Sequence, residues 1–190
     1  MRPTVVRSAL PLLLGVLAWA GCGDPLSLLP AAFENRVEVD SMYAASGTPV
    51  TLPSGFLINA RSTVRLDQVS TFDFLYEVTP DGEHLFLPYA LLVNTGRTTG
   101  NSGFKLTIED FDSITVAPQE GYVSADTVRL FLGQVYIARS ALDPTCGLGI
   151  PYYAKLQVLA FDDIERKVTF RILANVNCGY RGLEVGIPKK

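Results

Sequence analysis

Few residues in this chain could do chemistry. Three cysteines, Cys22, Cys146 and Cys178, and a single histidine, His84, stand in 190 residues. A histidine-rich metal centre is excluded, because such a site draws three or four ligands together. A Ser/His/Asp relay would have to run through His84, and no nucleophile is marked for it by spacing. Its place beside Glu83, after a turn, reads as a solvated surface residue. Carboxylates are more numerous. Glu109, Asp110 and Asp112 fall within four positions. Asp110 and Asp112 share a face if the chain is extended, which makes them weak candidates for a hard cation such as calcium. The EF-hand pattern is absent, and Asp-rich turns cap backbone for their own reasons. Glycoside hydrolysis needs two carboxylates at a fixed distance in space, which sequence spacing does not supply. Tyr152, Tyr153 and Tyr180, with Tyr122 and Tyr136, are possible ligand contacts, although tyrosine is also an ordinary strand residue. Asn94 to Gly103 is polar and Gly-rich but lacks Gly-Lys-Ser/Thr, so it reads as a long hairpin loop. No cofactor motif is legible and none is expected. With 19 acidic against 16 basic residues the net charge is -3, which speaks against nucleic acid, whose partners want a basic face.

Cys22 differs from the other two cysteines by what precedes it. Arg2 and Arg7 form a short positive region, and Ala9 to Ala20 is an uncharged apolar run rich in leucine. The run falls short of the roughly 20 residues a membrane-spanning helix needs, and it has the form of a secretory signal peptide. The segment Leu17-Ala18-Trp19-Ala20-Gly21-Cys22 resembles the lipobox of bacterial lipoproteins. Ala20 and Gly21 fit the pattern; Trp19 departs from it, because that position usually holds an aliphatic residue. The resemblance covers residues 1–22 only. It implies a diacylglyceryl group on the Cys22 thiol, cleavage before Cys22 and further acylation of the new amino group, palmitate being one such chain. Two or more chains anchor a protein firmly, where one holds it only marginally. Gly23 stands where an Asp favours inner-membrane retention in diderm lipoproteins, so the resemblance implies the outer membrane.

Two other readings remain open. Ala18-Trp19-Ala20 is itself a small-x-small cleavage signal, which would leave a soluble secreted or periplasmic protein with Cys22 as a thiol. The segment could also be a buried helix. Cysteine parity favours lipidation, since Cys146 and Cys178 can then pair and leave no stray thiol. Loss of Arg2 and Arg7 lowers the basic count from 16 to 14, so the mature chain carries -5. Such a surface is not drawn to anionic head groups, and the lipid would do the anchoring.

The elements that must position these residues read as strands. Residues 1–21 are the leader, 22–36 a lipidated tether broken by Pro25 and Pro30, and 37–190 one domain. From Val37 the apolar period is close to two. Val37 and Val39 alternate with Glu38 and Asp40; Val64 and Leu66 with Arg65 and Asp67; Phe72, Phe74, Tyr76 and Val78 with Asp73, Glu77 and Thr79. Thr79-Pro80-Asp81-Gly82-Glu83 is a turn, and Leu85 to Val93 a nearly continuous apolar strand after it. Phe104 to Ile108, Ile114 to Val116, Val128 to Leu132, Leu156 to Ala160 and Val168 to Ala174 continue the pattern. Gly133 suggests a bulge inside one long strand running on to Val135-Tyr136-Ile137. Leu183, Val185 and Ile187 suggest a last strand. Only Ser140 to Asp143 suggests a helical turn. Many short strands between turn residues predict an all-β antiparallel sandwich, jelly-roll or immunoglobulin-like, with a barrel as the alternative.

Cys146 and Cys178 flank the hairpin Ala154–Phe161 and Lys167–Leu173, beyond its open end. A disulfide there closes a loop of about 33 residues, worth roughly 3.7 kcal/mol in chain entropy. It suits an oxidising envelope. The function expected is a non-catalytic envelope lipoprotein whose sandwich binds or positions an envelope protein or glycan. The competing classes are a lipid-anchored carboxylate hydrolase and a carrier of apolar ligands.

Overall fold

A computed structural model of the chain describes residues 30–93, 100–143, 146 and 149–189. The leader, Cys22, the first part of the tether, residues 94–99 of the Gly-rich loop and residues 147–148 lie outside the described residues.

Among the described residues, ten strands form two antiparallel sheets of five strands each. They are β1 (Val37–Tyr43), β2 (Gly55–Leu57), β3 (Ser62–Val64), β4 (Phe74–Val78), β5 (His84–Pro88), β6 (Gly103–Thr107), β7 (Val128–Arg129), β8 (Val135–Arg139), β9 (Tyr153–Asp162) and β10 (Lys167–Asn175). The first sheet runs β1-β10-β9-β8-β6 and the second β3-β2-β4-β5-β7. No strand pairing joins the sheet edges among the described residues, so the architecture is a sandwich and the barrel alternative is set aside. No helix among the described residues is long and apolar enough to cross a membrane.

The core follows from the period-two pattern. Phe56, Phe74, Tyr76 and Phe86 from the second sheet meet Phe104, Leu156, Val158, Phe170 and Ile172 from the first, all fully or almost fully buried. Phe74 packs its ring 4.8 Å from Phe104, 4.9 Å from Phe86 and 5.4 Å from Phe56. Burying each such side chain contributes roughly 2–3 kcal/mol. The interior between the sheets is thus filled by aromatic rings.

The first sheet is also covered on its outer face. Val135, Ile137, Tyr153 and Leu173 point away from the sandwich and are buried under Phe111, Ile114, Ala117 and Leu183. Lys155 is enclosed in this layer; its Nζ donates to the Ile114 carbonyl at 2.8 Å and sits over the Phe111 ring. Burial lowers its pKa. Gly103 allows β6 to approach the covering segment, since a Cβ there would lie 2.6 Å from the Val123 carbonyl oxygen.

The hairpin of β9 and β10 forms as the pattern predicts. The register shifts between Thr169 and Phe170, which pair with Ala160 and Val158 and leave Leu159 as the extra residue of a bulge. The Thr79–Glu83 turn joins β4 to β5. Other expectations fail. The run Leu85 to Val93 breaks at Pro88, after which Tyr89–Leu92 makes one helical turn. Proline suits that entry because it has no N–H to leave unpaired. Val128 to Ile137 is not one bulged strand. β7 belongs to the second sheet and β8 to the first, and the chain crosses at a turn where Gly133 has φ +78°. That left-handed conformation favours glycine. Ile114 to Val116 and Leu183 to Ile187 make only isolated bridges, Val116 to Gly182 and Asn35 to Gly186. Both segments serve as cover, not as sheet. Ser140 to Asp143 forms no helical turn; Asp143 instead bridges Ile150. In β1 the expected faces are reversed at the start: Val37 and Val39 are exposed while Glu38 and Asp40 are half-buried.

Candidate functional site

At one end of the sandwich, Asp73 is buried although its alternation with Phe72 and Phe74 reads as solvent-facing. It immediately precedes β4. Its backbone N–H donates to Phe56 O at 2.8 Å and its carbonyl accepts from Tyr89 N at 3.0 Å. Its side chain reaches across the sheets. Oδ2 accepts the Ile58 N–H at 2.8 Å, just past β2, and Oδ1 accepts the Ala141 N–H at 3.2 Å, just past β8. Desolvation raises its pKa to about 6, against the two backbone donors that lower it.

Asp73 lies in a cleft of about 240 Å³ whose wall is mostly apolar, with Leu57, Phe72, Tyr89, Leu142 and Tyr152 around it. Asp143 and Asn59 stand at its rim, Asn59 Nδ2 donating to Asp143 Oδ2 at 3.1 Å. Tyr152 is fixed at the back. Its N–H donates to Ser140 Oγ at 2.9 Å, and its hydroxyl lies 3.5 Å from Cys178 Sγ. Cys178 is bonded to Cys146, with Cα atoms 5.4 Å apart, as the cysteine parity predicts. The disulfide therefore closes the end of the sandwich that holds the cleft.

The other tyrosines are not together. Tyr153 belongs to the outer layer, 6.2 Å ring to ring from Tyr122, and Tyr180 is buried beside Arg181 and Glu184 at a separate depression. Tyr136 donates its hydroxyl to Arg129 O and accepts from Phe131 N. Of the three expected ligand contacts, only Tyr152 lines the cleft. Asp110 precedes the 3-10 turn Phe111–Ser113, and Asp112 pairs with Arg171 at 3.5 Å. No three His, Cys, Asp or Glu residues converge among the described residues in a way that could hold a metal.

His84 is not a solvated residue. Its side chain is 12% exposed and its ring stacks 3.8 Å from Phe161. Nδ1 lies 2.6 Å from the Tyr76 hydroxyl, and Nε2 lies 3.2 Å from Asp163 Oδ1. Burial lowers the pKa of His84 and raises that of Tyr76. Tyr76 therefore keeps its proton and donates it to Nδ1, which fixes the neutral tautomer that carries its hydrogen on Nε2, toward Asp163. The relay ties the second sheet to the β9–β10 turn. Tyr76 is fully buried, so no substrate reaches its oxygen.

Comparison with family models, curated proteins and solved structures finds no match to this chain.

Proposed function

We propose that this is a lipid-anchored envelope protein whose β-sandwich binds or positions another envelope component, without catalysis. The observation that carries the reading is the Cys146–Cys178 bond. It suits an oxidising compartment and leaves Cys22 as the one cysteine without a partner in a disulfide, at the end of a lipobox-like leader. The anchor is then Cys22, and the outer membrane the preferred address.

The cleft supports binding over hydrolysis. Both Asp73 oxygens accept backbone N–H groups, and Asp143 is held by Asn59, so both carboxylates are engaged as braces. The apolar wall suits an apolar or aromatic group of a partner. A carrier role is less well supported, because rings fill the space between the sheets. The hydrolase reading keeps one argument, the raised pKa of Asp73, which is a property of acid catalysts as well as of buried braces.

Cell fractionation tests the anchor. Wild-type protein is expected in the membrane pellet and Cys22→Ala in the soluble fraction; a Cys22→Ala protein retained on membranes would overturn the reading. A photo-crosslinking residue at Leu142 tests the cleft. It is expected to give a discrete envelope adduct that the same residue at exposed Ile164 does not give.

A further inference from the structure

We infer that the cleft beside Asp73 takes the ammonium group and alkyl stem of a lysine side chain presented by a partner protein. The inference deepens the binding reading proposed above and rests on it. The charge of the cleft points one way. Among the described residues, Asp73 and Asp143 belong to its lining, and no Lys, Arg or His does. The groups that hold Asp73 are the backbone N–H groups of Ile58 and Ala141, and Asn59 donates to Asp143 through its amide. Such neutral donors stabilise a carboxylate but leave its charge in place. With a pKa of about 6, Asp73 is mostly ionised at about pH 7. An ionised group beneath an apolar wall is costly without a counter-charge, and Asp143 adds repulsion. A cation entering the cleft relieves both.

The wall selects the kind of cation. Phe72 and Tyr89 meet edge to face with their ring centres 5.0 Å apart, and Leu57 and Leu142 supply aliphatic surface. Aromatic faces attract cations, and aliphatic surface covers the methylenes of a long stem. At about 240 Å³ the cleft is smaller than the pockets that hold drug-sized ligands, which leaves room for a single side chain. Both Asp73 oxygens already accept a backbone N–H, so the carboxylate has no open edge for the two parallel bonds of a guanidinium. A lysine ammonium is a compact point charge and needs no such edge. A zwitterionic lipid head group fits less well. Its phosphate would follow the amine in beside Asp143, with no cation in the described lining to meet it.

The probes are N-acetyl-lysine amide, N-acetyl-norleucine amide, which keeps the stem without the ammonium, and phosphoethanolamine. Full-length protein processed in cells, isotope-labelled and purified in detergent, is titrated with each at about pH 7. The amide signals of Ile58 and Ala141, the donors to Asp73, report by NMR. The lysine probe is expected to shift both saturably, and the norleucine probe neither. Asp73→Asn is expected to lose the response, and Asp143→Asn to weaken binding by about two- to fivefold. Equal binding of the norleucine probe overturns the inference and leaves the cleft an apolar site. Stronger binding of phosphoethanolamine assigns the cleft to lipid head groups and also overturns it. No response to any probe overturns it too. In that case a Leu142 photo-adduct that still forms keeps the binding reading, and absence of the adduct takes that reading down as well. Should Asp73→Asn fail to fold, Asp143→Asn and Tyr89→Leu decide, and unchanged lysine binding in both overturns the inference.

Discussion

Replacing Asp73 with asparagine is expected to remove a pH dependence that the wild-type fold carries. The folded chain holds the Asp73 proton with a pKa of about 6, against 3.8 for a free carboxyl. Protonation therefore favours folding. This contribution is complete below about pH 3.8 and is lost as pH rises through about 6. The gap corresponds to about 3 kcal/mol at full extent, of which about 2 kcal/mol is lost between roughly pH 4 and pH 7. His84 acts in the opposite direction. Its folded pKa is lowered from 6.5, so its contribution is complete above that pH and is lost as pH falls below it. The total curve mixes the two, and the difference between wild type and Asp73→Asn isolates the carboxyl. The variant also has one side-chain acceptor where two backbone donors need one each, which costs roughly 1–3 kcal/mol at every pH. Urea unfolding across this range, fitted for midpoint and slope, measures the difference. The wild-type advantage is expected to shrink by about 2 kcal/mol from pH 4 to pH 7. Parallel curves would refute the account of Asp73 as a buried brace with a raised pKa.

Loss of the disulfide in Cys146→Ala/Cys178→Ala is expected to cost about 3–4 kcal/mol by urea unfolding, and thiol labelling of the mature protein without reductant is expected to find no free cysteine. Phe74→Ala opens the centre of the aromatic cluster and is expected to cost roughly 3–5 kcal/mol in the same assay, while Ile164→Ala on the hairpin turn changes stability by less than about 0.5 kcal/mol. Tyr76→Phe leaves His84 Nδ1 without its donor, at a cost of roughly 1–3 kcal/mol. NMR titration of His84 is expected to show its pKa moving up, because the lost hydrogen bond favoured the neutral ring.

Period-two alternation was informative where a strand buries one face and exposes the other. Phe74, Tyr76 and Val78 enter the core as their spacing predicts, and so do Val168, Phe170 and Ile172. Alternation is silent where both faces are covered. Val135 to Ala138 are all buried, because Phe111, Ile114 and Leu183 lie over the outer face, and nothing local in β8 announces that third layer. The same covering role explains why Leu183, Val185 and Ile187 resemble a strand yet only bridge Asn35. Val37 and Val39 misled for a related reason. They sit on an edge strand whose outer face stays partly open, and the half-buried positions went to Glu38 and Asp40. The disulfide was legible, because parity and a bracketed hairpin constrain it. The cleft was not, since its residues come from five separate stretches of chain. One local signal did exist: an aspartate between Phe72 and Phe74 at the start of an aromatic strand is poorly placed for solvent. His84 looks solvated in the sequence because its partners, Tyr76 and Asp163, are supplied by the β4–β5 hairpin and the β9–β10 turn only once the sheets stack.

The central claim is that Cys22 carries the anchor and the other two cysteines carry the cross-link. Intact mass of the protein extracted from membranes by detergent tests it directly. The expected species is a chain beginning at Cys22, heavier than its residues by a diacylglyceryl group and a further acyl chain, with two hydrogens missing for Cys146–Cys178. A chain beginning at Gly21 with a free thiol at Cys22, or one still carrying Met1 to Gly21, would contradict it.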